Sequence, residues 1–244
     1  MTSKGNFFEQ VKGKLIVSCQ ALKNEPLFGA DMMGKMAKAA EMGGAAAIRA
    51  NGTEDIRAIK KSVHLPVIGL IKQDYPDSDV YITPTRKEMD ELIAAGADII
   101  ALDATSRKRP NGESLQELVN YLKDKNQLIM ADISTYEEGI HAAGLGFDCV
   151  STTLSGYTSY SRQEDGPDLE LVERLAKTVA VPVVAEGRIT SPSQAAKALQ
   201  SGAFTVVVGS AITRPQIITK MYIEAISKDV KQNESTEYAV KEQA

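Results

Sequence analysis

Two neighbouring stretches decide the fold: Val181-Pro-Val-Val-Ala-Glu-Gly-Arg-Ile-Thr-Ser-Pro-Ser193 and, after an amphipathic run to Gly202, Phe204-Thr-Val-Val-Val-Gly-Ser-Ala-Ile-Thr-Arg-Pro215. Each holds a short apolar run rich in β-branched residues that ends on a glycine and leads into a helix start. Ser191 and Pro192 read as an N-cap and a first-turn proline. The second run ends at Gly209-Ser210, whose small side chains leave backbone N–H groups free to approach an anion. Two successive strand–glycine–helix corners late in a chain of 244 residues form the usual phosphate pocket of a (β/α)8 barrel, a fold of about 250 residues. Glu186 and Arg188 flank the first glycine. A carboxylate beside an anion site is unfavourable unless it is used, so Glu186 becomes the first catalytic candidate.

Working outward, the same unit repeats. Strands are expected at Leu15–Gln20, Ala45–Ala50, Pro66–Lys72, Ile99–Thr105, Leu128–Ser134 and Cys149–Ser155. Helices are expected at Gly29–Met42, Thr53–Ser62 (capped by Thr53 or Asn51), Thr85–Ala95 with a Thr85/Glu88 capping box, Glu113–Lys125, Tyr136–Ala143, Asp168–Thr178 and Arg214–Lys228. The phrases Ala94-Ala-Gly-Ala-Asp-Ile-Ile-Ala, Ala142-Ala-Gly-Leu-Gly-Phe-Asp-Cys-Val, Gln200-Ser-Gly-Ala-Phe-Thr-Val-Val and Met42-Gly-Gly-Ala-Ala-Ala-Ile all leave a helix through glycine and enter a strand. Glycine in that position is a left-handed helix stop. Alternating strands and helices imply parallel strands joined by right-handed crossovers. The phrase fits an open doubly wound sheet as well as a closed barrel. Eight units without a break in composition favour a single barrel over residues 1–228, with residues 229–244 as a polar, flexible tail. Asp74–Pro84 and Gly156–Pro167 have no periodicity and read as long loops over the strand ends.

Composition narrows the partners. Hydrophobic residues make up 43% and charged residues 25%, with a net charge of -4. That balance argues against nucleic acid or an anionic membrane surface, so an anionic ligand must be held by a local cluster of donors. No apolar run approaches the ~18 residues of a membrane span, and Met1–Lys14 does not read as a signal peptide. Cys19 and Cys149, the two cysteines, sit in strand-like runs without metal spacing and read as reduced core thiols of a cytoplasmic protein.

In a barrel the C-terminal strand ends face the active site, which makes polar residues closing an apolar run informative. They are Gln20, Arg49, Lys72, Asp103, Asp132, Ser155, Glu186 and Gly209-Ser210. Any one of them is as readily an interior ion pair; the whole set converging on one mouth is expensive to desolvate unless used. Lys72 follows Gly-Leu-Ile, so its stem emerges from the interior. An amine must be neutral to take a proton; burial and a cation such as Arg49 lower its pKa, while Glu186 opposes that shift. Asp103 and Asp132 can each orient a sugar hydroxyl or amide, or cap the next helix. His64 and His141 read as structural. No His/Asp/Glu cluster has metal-ligand spacing and no G-x-G-x-x-G follows a strand, so neither a metal nor a dinucleotide cofactor is indicated.

Several of these stretches together match one family. Ser18-Cys-Gln-Ala-Leu-Lys-Asn-Glu-Pro26, Ala47-Ile-Arg-Ala-Asn-Gly52, Ile68-Gly-Leu-Ile-Lys-Gln-Asp-Tyr75, Ala131-Asp-Ile-Ser-Thr135, Ala185-Glu-Gly-Arg188 and Gly209-Ser-Ala-Ile-Thr-Arg-Pro215 resemble N-acylglucosamine-6-phosphate 2-epimerase, also called N-acetylmannosamine-6-phosphate 2-epimerase, of bacterial sialic acid breakdown. Val80–Thr85 and Thr153–Thr158 are similar to it too. The resemblance runs from Lys14 to Lys228 and implies a metal-free and cofactor-free epimerisation of a sugar phosphate at the carbon bearing the acetamido group. By the same resemblance, Lys72 transfers the proton and Glu186 assists in ring opening or proton transfer. Gln20, Arg49, Asp132, Tyr157 and Arg214 then contact the sugar, its acetamido group or its phosphate. Gly156, Gly187, Arg188, Gly209 and Ser210 belong to the phosphate end. A homodimer is expected, because barrels of this kind often pair through their outer helices.

Two other classes fit the residues. A lysine at a strand end equally suits a lyase or aldolase that forms a Schiff base with a keto-sugar phosphate. A phosphosugar-binding regulator without turnover would use the same anion pocket. The Glu186-Gly187-Arg188 context favours the epimerase.

Overall fold

The computed structural model describes residues 4–227. Eight parallel strands close into a barrel in sequence order: β1 (Leu15–Cys19), β2 (Ala47–Asn51), β3 (Val67–Leu70), β4 (Ile99–Asp103), β5 (Leu128–Asp132), β6 (Cys149–Ser151), β7 (Val183–Glu186) and β8 (Thr205–Val208). Closure runs through Ile16 beside Val207 on the β1–β8 seam. The open-sheet alternative is thereby removed. Around the barrel lie α2 (Ala30–Met42), α3 (Thr53–Ser62), α4 (Arg86–Ala95), α5 (Leu115–Asp124), α6 (Tyr136–Leu145), α7 (Leu169–Thr178), α8 (Pro192–Gln200) and a short α9 (Ser210–Thr213). Residues 215–227 are also helical, with a break at Arg214. Lys228 and the expected tail at 229–244 lie outside the described residues. Among the described residues no helix is long and apolar enough to cross a membrane.

The local chemistry explains the boundaries. Thr85 and Glu88 make the expected capping box at the start of α4, and Ser191 caps α8. Ser114 with Glu117 and Thr135 with Glu138 form two further boxes. Gly96 and Gly146 stop their helices at φ 83° and 89°, where a Cβ would be strained. The cap of α3 differs from expectation. Its N-cap is Gly52 without a side-chain bond, because the Asn51 side chain instead accepts the Lys72 N–H at 2.9 Å.

Apolar side chains form two shells. One lies between sheet and helices, the other fills the barrel itself. The inner shell includes a helix that hydrophobic patterning did not reveal. α1 (Lys4–Val11) closes the N-terminal end of the barrel, with Phe7 and Val11 fully buried against Ile16, Ala47 and Cys149. Its apolar stripe, Phe7, Phe8 and Val11, is too short to stand out from a polar start. Cys19 and Cys149 are buried, reduced thiols, and burial pushes the Cys19 thiol up to about 12.

Five strands (β1, β3, β4, β5 and β6) end earlier than expected, and two of these departures shape the mouth. β6 stops at Ser151 and turns through Thr152–Leu154. There the Thr152 hydroxyl donates to the Glu186 carbonyl at 2.9 Å and accepts the Glu186 N–H at 3.1 Å, replacing the backbone ladder. β3 stops at Leu70, after which Lys72 makes an antiparallel bridge with Ile82. The expected loop at Asp74–Pro84 therefore returns into the barrel mouth as a partner for the residues after β3.

Candidate active site

Side chains alternate along a strand, so every second residue enters the barrel. Read upward from the closed end, each inward series changes from apolar to polar. It runs Ile16, Ser18, Gln20 on β1; Ala47, Arg49 on β2; Ile68, Leu70, then Lys72 after β3. It runs Leu128, Met130, Asp132 on β5; Cys149, Ser151, Thr153 after β6; and Val184, Glu186 on β7. The polar ends meet at the C-terminal face around a cavity of about 560 Å3.

Its floor is an ion cluster. Arg49 is 1% exposed and donates through Nη1 at 3.0 Å and Nη2 at 2.5 Å to the two oxygens of Asp132, itself fully buried. Arg49 Nη1 also lies 3.0 Å from Glu186 Oε2. The Thr153 hydroxyl sits between the carboxylates, 2.6 Å from Asp132 and 3.1 Å from Glu186. One cation thus faces two acids, all three largely withdrawn from solvent. Burial pushes the Glu186 carboxyl up to about 7; Arg49 opposes the shift and Asp132 adds to it. Lys72 stays exposed at the mouth, yet the desolvation its amine does meet lowers it below its ordinary value, with Arg49 and Arg214 helping and Glu186 and Asp132 opposing. The site therefore holds an acid that titrates near neutrality and an amine eased toward its neutral form, which is the pairing proton transfer requires.

The other wall carries the two corners. Gly187 stands at φ 105°, and Arg188 after it also takes positive φ, at 55°. Gly209 and Ser210 open α9, which fits the short extra helix that accompanies phosphate sites after strands 7 and 8 of such barrels. Arg214 faces the cavity at the end of α9. It pairs with Glu25 at 3.0 Å and donates to the Ser210 hydroxyl at 3.3 Å.

Most of the expected residues come together. Lys72 and Glu186 line one cavity. Gln20, Arg49 and Arg214 join them, as do Gly187, Arg188, Gly209, Ser210 and the half-exposed Tyr157. Two do not line it. Asp132 lies beneath the floor as the partner of Arg49. The Gly156 N–H is engaged by the Ser161 hydroxyl at 2.9 Å, so this amide is not available to a phosphate in the arrangement described. Gly156 is small for a different reason: a Cβ there would collide with the Arg188 guanidinium, which donates to the Glu164 carbonyl. Asp103 is a turn-former, accepting from Thr105 and pairing with Arg107 at 2.6 Å. His64 and His141 are exposed and away from the cavity. Among the described residues no group of three His, Cys, Asp or Glu is arranged to hold a metal ion.

Among the cavity residues that the sequence reading did not single out are Ser18, Tyr81 and Thr153. Ser18 accepts a hydrogen bond from the Gln20 amide at 2.9 Å, and the Gln20 oxygen is buried without a partner. Tyr81 brings a phenol that burial pushes up to about 12, with Asp132 and Asp103 adding to the shift. Strand alternation would have found Ser18 and Thr153, two residues from Gln20 and Ser151; no local pattern marks Tyr81.

The chain is similar to known proteins over most of its length. Residues 33–228 match the family model described as "Putative N-acetylmannosamine-6-phosphate epimerase". A relative from Clostridium perfringens strain SM101, carrying that description as a 2-epimerase, is 60% identical over 216 residues, 88% of this chain and 98% of its own. One from Clostridioides difficile is 58% identical over 218 residues, 89% of this chain and 98% of its own. The solved structure of the N-acetylmannosamine-6-phosphate 2-epimerase from Clostridium perfringens superimposes with a TM-score of 0.88 at 59% identity, covering 89% of this chain and 95% of that one.

Proposed function

The chain belongs to the N-acetylmannosamine-6-phosphate epimerase family, and from that premise we propose how its cavity works. The protein is a carbohydrate-phosphate epimerase that interconverts N-acetylmannosamine 6-phosphate and N-acetylglucosamine 6-phosphate. Opening of the sugar ring creates an aldehyde, and the hydrogen on the adjacent carbon becomes acidic. A base takes that proton, the electron pair is held as an enolate, and a proton returned to the opposite face gives the epimer. Nothing is gained or lost overall.

Lys72 is the proton-transfer residue. A free lysine with pKa near ~10.4 is almost wholly protonated at neutral pH, and the surroundings of Lys72 shift that balance toward the amine. Glu186, titrating at about 7, exchanges the ring-opening proton or takes part in the transfer at carbon. Arg49 and Asp132 hold Glu186 in place and set the charge of the floor. The enolate that develops needs nearby positive charge, which Arg214 brings to the same cavity. Gly187, Arg188, Gly209 and Ser210 receive the phosphate, so binding energy at the remote end orients the reacting carbon. Gln20 and Tyr157 complete the sugar contacts.

The observation that carries this reading is the presence of Lys72 and Glu186 on one cavity over the buried Arg49. Lys72→Ala should lower interconversion of the two amino-sugar phosphates by about 10²–10⁴-fold; near-normal turnover by that variant would remove the mechanism. Solvent deuterium uptake from each epimer distinguishes one base from two, since two bases incorporate label with little return of the original proton. We assign the protein to the cytoplasm and to a homodimer. Exposed Tyr222, Ile223 and Ile226 near the end of the described chain support a covered face, and sedimentation measures it.

A further inference from the structure

We propose that Thr83 is a positioning residue that holds Lys72 and Tyr81 in the cavity. It does so by pinning residues 71–73 to residues 81–83 and both to β4. The inference rests on the epimerase reading above and concerns a residue that touches neither substrate nor solvent.

Three observations carry it. Thr83 is fully buried, and every polar group it offers to this junction is used. Its N–H donates to the Ile71 carbonyl at 2.7 Å. Its hydroxyl accepts the Ile71 N–H at 3.2 Å and donates to the Ala101 carbonyl on β4 at 2.7 Å. Around it the Gln73 N–H reaches the Tyr81 carbonyl at 2.9 Å, the Asp103 N–H reaches the Ile82 carbonyl at 3.0 Å, and Lys72 bridges Ile82. Lys72 is thus fixed from both sides, because its own N–H goes to the Asn51 side chain on β2.

The second observation is conformational. Thr83 has φ 46°, and a β-branched residue in that region is a true outlier. Such strain persists where surrounding structure over-determines it, most often at functional sites. Glycine or asparagine would take this conformation at less cost. Neither carries a hydroxyl on Cβ able to bond the adjacent carbonyl and amide together, so the threonine hydroxyl explains why the strain is kept.

The third is the outcome for the cavity. Lys72 and Tyr81, one residue beyond Ile71 and two before Thr83, lie on the two paired segments of the ribbon, and both line the cavity. The groups that face Lys72 there come from other elements: Arg49 from β2, Asp132 from β5, Glu186 from β7 and Arg214 after α9. A shift of the ribbon changes the distance from the amine to all four at once.

Thr83→Val keeps shape and branching and deletes the hydroxyl; Thr83→Ser keeps the hydroxyl. Both are compared with wild type and Lys72→Ala by epimerisation kinetics from pH 6 to 10, with circular dichroism melting to count folded protein. Thr83→Val should lose about a hundredfold in kcat per folded molecule, the effect of an ångström-scale displacement, with KM changed far less. The pH limb that reports Lys72 should move toward the ordinary lysine value. Thr83→Ser should retain kcat to within about threefold, since its hydroxyl restores the alignment. If Thr83→Val does not fold, Thr83→Gly, which relieves the φ strain but lacks the hydroxyl, should show the same kcat loss and pH shift. A variant without the hydroxyl that melts lower yet keeps wild-type kcat and pH profile overturns the inference and leaves Thr83 merely structural. Full activity in Lys72→Ala would instead overturn the epimerase mechanism itself.

Discussion

Replacing Arg49 by methionine should destabilise the protein in a pH-dependent way that few other substitutions would reproduce. Methionine matches the length of the guanidinium stem but removes the cation. Left behind are Asp132, with no exposure, and Glu186, 13% exposed, joined by the single hydroxyl of Thr153. That hydroxyl has one proton and can donate to one acid at a time. Breaking a buried ion pair by deleting one partner costs about 3–5 kcal/mol. In a chain of this size each kcal/mol moves the melting temperature by about 2–4 °C, so a fall of about 6–20 °C is expected at pH 8.

The sign of the pH effect follows from the carboxyls. Arg49 opposes the upward shift of Glu186, so its loss raises the folded-state pKa of Glu186 further above the unfolded value. A raised acid binds its proton more tightly in the fold; stability is present below the unfolded pKa and is lost as pH rises through the folded one. The deficit of Arg49→Met relative to wild type should therefore be largest at pH 8 and shrink by pH 5. Adding Asp132→Leu should recover part of it, because an apolar replacement of a whole buried pair is often neutral. Thermal and urea melts at the two pH values measure this directly. Melting within about 2 °C of wild type at pH 8, less than one kcal/mol, would refute the view that Arg49 neutralises the floor, as would a deficit independent of pH.

Three further outcomes are expected. Glu186→Gln should cost about 10²–10⁴-fold in turnover and abolish the kinetic limb near pH 7; its melting temperature should also fall less than that of wild type from pH 5 to 7.5, where wild type loses stability as the raised acid ionises. Gly187→Ala places a Cβ on a residue at φ 105° and 3.4 Å from the Thr153 carbonyl; inorganic phosphate should bind about tenfold more weakly by calorimetry, corresponding to about 1.4 kcal/mol. Phe7→Ala removes the side chain that plugs the closed end of the barrel and should cost about 3–5 kcal/mol in urea unfolding, while kcat per folded molecule stays unchanged because α1 lies opposite the mouth.

Much of this protein could be read without coordinates wherever the signal is local. The Thr85–Glu88 box, the Ser191-Pro192 start and the glycines at 96, 146 and 202 act through bonds to residues two to four positions away. Repetition of those signals counted eight units. Arg49, Lys72 and Glu186 stood out because each ends an apolar run, and a charge in that position must be used or paired. α1 was not legible, since two buried residues in eight carry too little pattern. Nor was Tyr81, whose place depends on the loop returning to bridge Lys72, a contact across ten residues that no periodicity encodes.

The sequence by itself determined the alternation of elements, the helix stops and the strand-end residues, because those follow from backbone dihedrals and side-chain period. The tertiary structure alone decided barrel against open sheet, since closure depends on β8 pairing with β1 across the length of the chain. It alone decided which donors remain free: Arg49 is spent on Asp132 and Glu186, the Gly156 amide on Ser161, and Lys72 is held by Asn51 and the ribbon that Thr83 ties. Hydrogen bonding is satisfied in space, and a residue's partner, unlike its propensity, is set by whatever the fold brings within three ångströms of it.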